Sequence, residues 1–174
     1  MFVKVSLFIA IVVALVLLYA SSKPDTFRVE RAATIKAPAD KIFPYINDLH
    51  QWDAWTPYNR DPAMKKTFGG SAAGKGATYA WEGNKEVGKG DMVITESSAP
   101  NLVRMDLHFE KPFEANNQVD FKLVVEGDST KVTWGMDGKN NLISKVMGLF
   151  INMDNMIGKD FQVGLNQLKA VAEK

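Results

Sequence analysis

In the stretch MGLFINMDNMIGKDFQVGLNQL, residues 147–168, Met147, Phe150, Met153, Ile157, Phe161, Leu165 and Leu168 recur mostly at three- and four-residue steps. That spacing predicts a C-terminal helix with one apolar, methionine-bearing face. Working back from it, Tyr79 to Met136 alternates with period two. Val103, Met105, Leu107 and Phe109 face one way, while Arg104, Asp106 and His108 face the other. Val119, Phe121, Leu123 and Val125 repeat the pattern, as do Val132, Trp134 and Met136. A long helix laid against a curved antiparallel sheet encloses an apolar space. The pattern predicts a container.

Further upstream, Phe27, Val29, Ala33 and Ile35 read as a first strand, with Arg31 interrupting its apolar face. Pro38 opens a short helix carrying Ile42, Phe43 and Ile46, which Pro44 shortens or kinks. Asp48 to Trp55 reads as a second short helix or turn. Strand-like pieces at Thr78–Glu82 and Asp91–Glu96 lie among glycines, and Gly127-Asp128-Ser129 makes a tight turn. Two small helices, a run of strands and a closing helix define α+β rather than a parallel βαβ fold.

The first residues differ sharply. Val5 to Ala20 is apolar apart from Ser6. As a helix these residues span about 24 Å, against ~30 Å for a hydrocarbon core. Phe2, Val3 and a snorkelling Lys4 extend the span, and Tyr19 stands where an aromatic anchor belongs. The rival reading is a cleaved signal peptide ending at Ala20-Ser21-Ser22. The apolar stretch exceeds the usual signal core, so an uncleaved anchor is expected. Lys4 and the terminal amine favour an inside N-terminus, whereas Lys23, Arg28 and Arg31 pull the other way. Long domains translocate largely regardless of such charges, so the expected arrangement is a single-pass anchor with the domain outside the cytoplasmic membrane. The organisation is then an anchor or signal at 1–22, a linker at 23–26 and one ligand-binding domain at 27–174.

Composition excludes several functions. The 21 basic and 20 acidic residues leave no basic footprint for nucleic acid. Without cysteine there is no thiol nucleophile or thiolate metal site. Gly74-Lys-Gly76 and Gly88-Lys-Gly90 lack the third glycine and the setting of a phosphate loop, and read as turns or strand irregularities. The two histidines, His50 and His108, lie in different elements, so no metal site or other cofactor is expected. His50 neighbours Trp52 and Asp53, either as a turn residue or at a pocket mouth. Arg31 either returns to water at a bulge or faces inwards to meet a carboxylate such as Asp106, or a ligand headgroup.

Four segments in this order resemble the START-like (SRPBCC) superfamily, and within it bacterial polyketide cyclase/dehydrase-like proteins. They are Ile35-Lys-Ala-Pro38, Trp52 with Trp55-Thr-Pro57, Val132-Thr-Trp134-Gly-Met136, and Ile157-Gly-Lys-Asp-Phe161 with Gly164-Leu165. The likeness runs from about Phe27 to Lys169. It implies a helix-grip fold, with about seven antiparallel strands around the C-terminal helix and a deep apolar cavity. It also implies binding of lipids, isoprenoids, polyketides or similar molecules, with cyclase or dehydratase activity in some members. No catalytic signature transfers. The expected lining comprises Trp52, Trp55, Tyr79 and Trp81; Met105, Leu107, Phe109, Phe121 and Trp134 from strands; and Phe150, Met153 and Ile157 from the helix. Aromatic and thioether side chains suit a permissive apolar site, although each also suits ordinary core packing. An enzymatic reading needs inward groups such as Arg31, His50, Asp53 or Tyr79. A third reading is an envelope interaction module whose cavity is vestigial. Oligomeric state is not legible in the sequence.

Overall fold

The computed structural model describes residues 2–174, with side chains from Lys4 onward. The expected contributions of Phe2, Val3 and the terminal amine to the span therefore lie outside the described side chains. Helix α1 (Phe2–Ser21) precedes strand β1 (Thr26–Ile35), helix α2 (Ala39–Asn47) and a 3-10 turn over Leu49–Ala54. Strands β2 (Lys65–Gly70), β3 (Ala77–Glu82), β4 (Lys89–Ser98), β5 (Leu102–Lys111), β6 (Ala115–Glu126) and β7 (Ser129–Lys139) follow. Helices α3 (Leu142–Met147) and α4 (Met153–Ala172) close the chain.

The strands form one seven-stranded sheet in the order β1-β7-β6-β5-β4-β3-β2, with every neighbour antiparallel. Alternation sets which face is buried. Val29 and Ile35 in β1, Val103 and Met105 in β5, and Val132, Trp134 and Met136 in β7 all lie on the buried face, where α4 packs on β1 and β7. α2 and the 3-10 turn pack on each other, α2 also meeting β6 and the turn meeting β3, and both touch α4. Pro44 lies inside α2, which ends three residues later, as the missing N–H requires. This is the expected helix-grip arrangement.

Two features depart from the sequence reading. The apolar stripe is not one helix: it breaks between Met147 and Met153, and Asn152 caps the new start by accepting the Asn155 N–H. Only the C-terminal part of the stripe is core, with Phe161, Leu165, Leu168 and Ala172 buried, while Phe150 and Met156 stand exposed. The second departure is β2, an edge strand with no buried residue. Gly74 and Gly76, φ +70° and +88°, shape the turn between β2 and β3, in keeping with a turn rather than a phosphate loop.

α1 has the length and composition of a membrane span, with mean hydropathy 2.4 over Lys4–Ser21 and 6% of that window buried. Its position near the N-terminus suits a signal sequence equally well.

Candidate ligand-binding cavity

Between the concave face of the sheet and the α3–α4 segment lies a cavity of about 1520 Å³. β4, β5 and β6 provide Met92, Met105 and Val119 from their inward positions. Trp52 enters from the 3-10 turn, its Nε1–H donating to the Ile46 carbonyl at 2.9 Å. A second aromatic row runs along the far strands: Phe68 to Tyr79 at 5.1 Å, Tyr79 to Trp81 at 5.9 Å, and Trp81 to Phe109 at 5.7 Å between ring centroids. Trp81 Nε1–H donates to the Val87 carbonyl at 2.9 Å, which fixes that ring.

Of the twelve residues expected to line the space, ten do so: Trp52, Tyr79, Trp81, Met105, Leu107 and Phe109, together with Trp134, Phe150, Met153 and Ile157. Trp55 and Phe121 do not. Trp55 is 1% and Phe121 0% exposed, and they meet edge-on at 5.9 Å behind the wall. Trp55 packs there because its Nε1–H reaches the Tyr45 carbonyl at 2.8 Å. Their task is to hold Trp52 and Trp134 in place.

Trp134 stacks on Phe161 of α4 at 4.1 Å, nearly parallel. The other three indoles have carbonyl partners. Among the described residues Trp134 Nε1 has none. A buried donor without a partner carries a desolvation cost, so this ring is set by stacking rather than by a hydrogen bond.

One wall is polar, and no periodic pattern marks it. Tyr58, Asn59 and Arg60 come from the loop after the 3-10 turn, and Arg60 pairs with Asp160 of α4. Asp53 is held by Lys66 and by the Asn59 amide. Burial first, then the Asp53 charge, push the Tyr79 phenol up to about 12. Surrounding protein, then the Asp160 charge, also push Tyr58 up, against Arg60, although the residue remains 37% exposed. Both phenols are therefore neutral hydrogen-bond donors at neutral pH. Tyr58 lies in a loop without periodicity, which is why pattern reading passed over it. Phe113, alone among polar neighbours in the β5–β6 turn, was the more readable signal.

The remaining candidates fall elsewhere. Arg31 keeps regular register opposite Trp134 and faces inwards. Its partner is not Asp106 but Asp154 of α4, with Nη2 to Oδ2 at 2.9 Å, Nη1 to Oδ1 at 3.1 Å, and a third bond to the Asp154 carbonyl. Gly158 makes room for the guanidinium: a Cβ there would sit 2.1 Å from Nη2. Arg31 therefore fastens α4 to β1 and is not available to a substrate. His50 stacks on Phe68 at 4.2 Å, lies 3.0 Å from Asp48 and does not line the cavity. His108 pairs with Asp91 on the outer face. Among the described residues no group of three or more His, Asp or Glu side chains is placed to hold a metal ion.

A curved antiparallel sheet that grips a C-terminal helix around an apolar cavity defines the START-like class. A family model described as "Polyketide cyclase / dehydrase and lipid transport" matches residues 26–173, and the chain belongs to that family. Solved structures share the fold. A protein from Chromobacterium violaceum aligns at 16% identity and TM-score 0.60, over 87% of this chain and 99% of that one. The ginseng major latex-like protein 151 from Panax ginseng aligns at 12% identity and TM-score 0.63, over 87% and 100%. The Aha1 dimer from Colwellia psychrerythraea aligns at 16% identity and TM-score 0.60, over 84% and 96%. A search of curated proteins found no match.

Proposed function

We propose that this chain binds, or carries over short distances, a hydrophobic small molecule of lipid, isoprenoid or polyketide-like chemistry, in a domain anchored by α1 to the inner membrane and lying on its periplasmic side. One observation carries the reading: a cavity of about 1520 Å³ with a largely apolar wall. Pockets for drug-sized ligands run from roughly 300 to 1,000 Å³, so a long or branched apolar molecule fits this one. A vestigial cavity filled by side chains has no comparable support. The driving force is burial of ligand apolar surface, about 25 cal/mol per Å² before the costs of association. The neutral Tyr58 and Tyr79 hydroxyls suit a hydroxyl or carbonyl at one end of the ligand.

A second reading, a cyclase or dehydratase, draws on Asp53 and Tyr79 sharing one wall. Against it, Asp53 is engaged by Lys66, and the raised Tyr79 pKa disfavours that phenol as a base. The test is native mass spectrometry with lipid extraction on the full-length protein from its own membranes. The expected result is a stoichiometric apolar compound that is lost on Met153→Asp. That change places a charge on the cavity wall at a helix start, where an acidic residue is tolerated. A protein that stays folded and carries no compound would overturn the binding reading. A different compound bound to Tyr79→Phe than to the wild type would favour the enzyme.

A further inference from the structure

The cavity mouth and α1 lie at the same end of the sheet. β1 begins there at Thr26, β7 finishes opposite it at Lys139, and the β5–β6 turn at Pro112–Glu114 stands alongside. The linker between α1 and β1 is fastened down. Asn140 donates its backbone N–H to the Asp25 carbonyl at 2.8 Å and its side-chain amide to the Pro24 carbonyl at 3.3 Å, while Lys145 of α3 pairs with Asp25. α3 packs directly against α1. Among the described side chains of α1, those that lose exposure are Val16 and Ala20, one turn apart near its C-terminal end. Beside them Tyr19 carries the Lys23 ammonium 4.3 Å above its ring, the aromatic–basic pairing expected at the edge of a bilayer.

On this same end five large apolar side chains stand in the open: Phe113, Leu142, Ile143, Phe150 and Ile151, from 42% to 79% exposed. All but Leu142 also line the cavity, so the exposed rim and the inner wall are one continuous apolar surface. We propose that this rim is a membrane-docking surface, seated at the headgroup–acyl boundary of the leaflet next to the C-terminal end of α1. The cavity then opens onto lipid rather than water. The occupant follows from the packing: α3 touches the last turns of α1, so a bilayer that α1 crosses as far as Tyr19 meets α3 as well. The rim has the exposed bulky apolar groups that interfacial segments use. This inference rests on the anchor reading of α1.

The chain has no cysteine, so single labels report cleanly. Full-length Phe113→Cys, Phe150→Cys, Val125→Cys and Ile11→Cys would each carry an environment-sensitive fluorophore in vesicles of phosphatidylcholine and phosphatidylglycerol. Val125 is exposed at the far end of the sheet, and Ile11 lies within α1. The expected result is loss of fluorescence to bromine-labelled lipid chains, but not to aqueous iodide, at positions 11, 113 and 150, with the reverse at 125. Lipid quenching at 11 with iodide quenching at 113 and 150 would overturn the docked rim and leave the anchor standing. No lipid quenching at 11 would overturn both. Shielding of 113 and 150 from both quenchers would mean that protein covers the rim, and would overturn the proposal as well.

Discussion

Asp120 shows how a single residue seals the outer side of this sheet. Its side chain is 8% exposed, beneath the Arg28 guanidinium, which also reaches Glu30 and Asp137. Gly135 leaves space for that guanidinium, since a Cβ would meet Arg28 Nη2 at 2.3 Å. Burial raises the Asp120 pKa, but the hydrogen bonds and charges of Arg28 and Lys122 outweigh it and hold the carboxyl below its ordinary value. A depressed folded-state pKa contributes stability above the unfolded value, near 3.9, and that stability fades as pH falls through the folded value. The melting temperature should therefore be level above about pH 5 and fall steeply below about pH 4. Asp120→Asn should cost about 1–3 kcal/mol at neutral pH and flatten the acid limb. It should not abolish that limb, because Arg31 also holds Asp154 low. Thermal melts of both proteins from pH 3 to pH 7 check this. None of it was legible in the sequence, because Arg28 and Asp120 are 92 residues apart and only the β1–β7–β6 order brings them together.

At the scale of elements, α4 is held by close approach as much as by its apolar face. Gly164 faces Trp134 and Pro57, and a Cβ there would lie 2.7 Å from Trp134 Cζ3 and 3.0 Å from Pro57 Cδ. Neither a buried indole stacked on Phe161 nor a proline ring can move aside easily. Gly164→Ala should therefore destabilise by about 1–3 kcal/mol from overpacking, although alanine alone would favour the helix by about 1 kcal/mol. Urea unfolding measures the balance, and a net gain in stability would show that α4 can shift outward. The helix itself was readable from its period, as were β5, β6 and β7 from alternation. The break in the stripe was not, because Met147, Phe150 and Met153 keep a three-residue step through the corner. Only Asn152 followed by Asp154, a helix-start pattern, marked it. β2 was invisible for the opposite reason: an edge strand with no buried residue imprints no alternation.

For the whole molecule, filling of the cavity and stability of the fold are linked. A ligand that fills the cavity binds only the folded state, so it should stabilise the chain by about 2.7 kcal/mol at a hundred times its Kd. Detergent extraction of bound lipid should lower the melting temperature by several degrees, and adding the extract back should restore it. An unchanged melt would mean that the cavity takes its ligand only briefly. The cavity was foreseeable because its strand faces alternate and its helix is amphipathic. Its polar wall was not, because Tyr58, Arg60 and Asp160 converge from a loop and a helix 100 residues apart. The bonds from Asn140 and Lys145 to the linker reach beyond stability. With α1 in a bilayer, four linker residues, at most ~14 Å when fully stretched, are pinned rather than free to swing. Such a protein passes a ligand only as far as its pinned domain reaches and does not travel with it between membranes. Whatever it releases goes sideways within its own leaflet, or into a second protein that comes up to meet it.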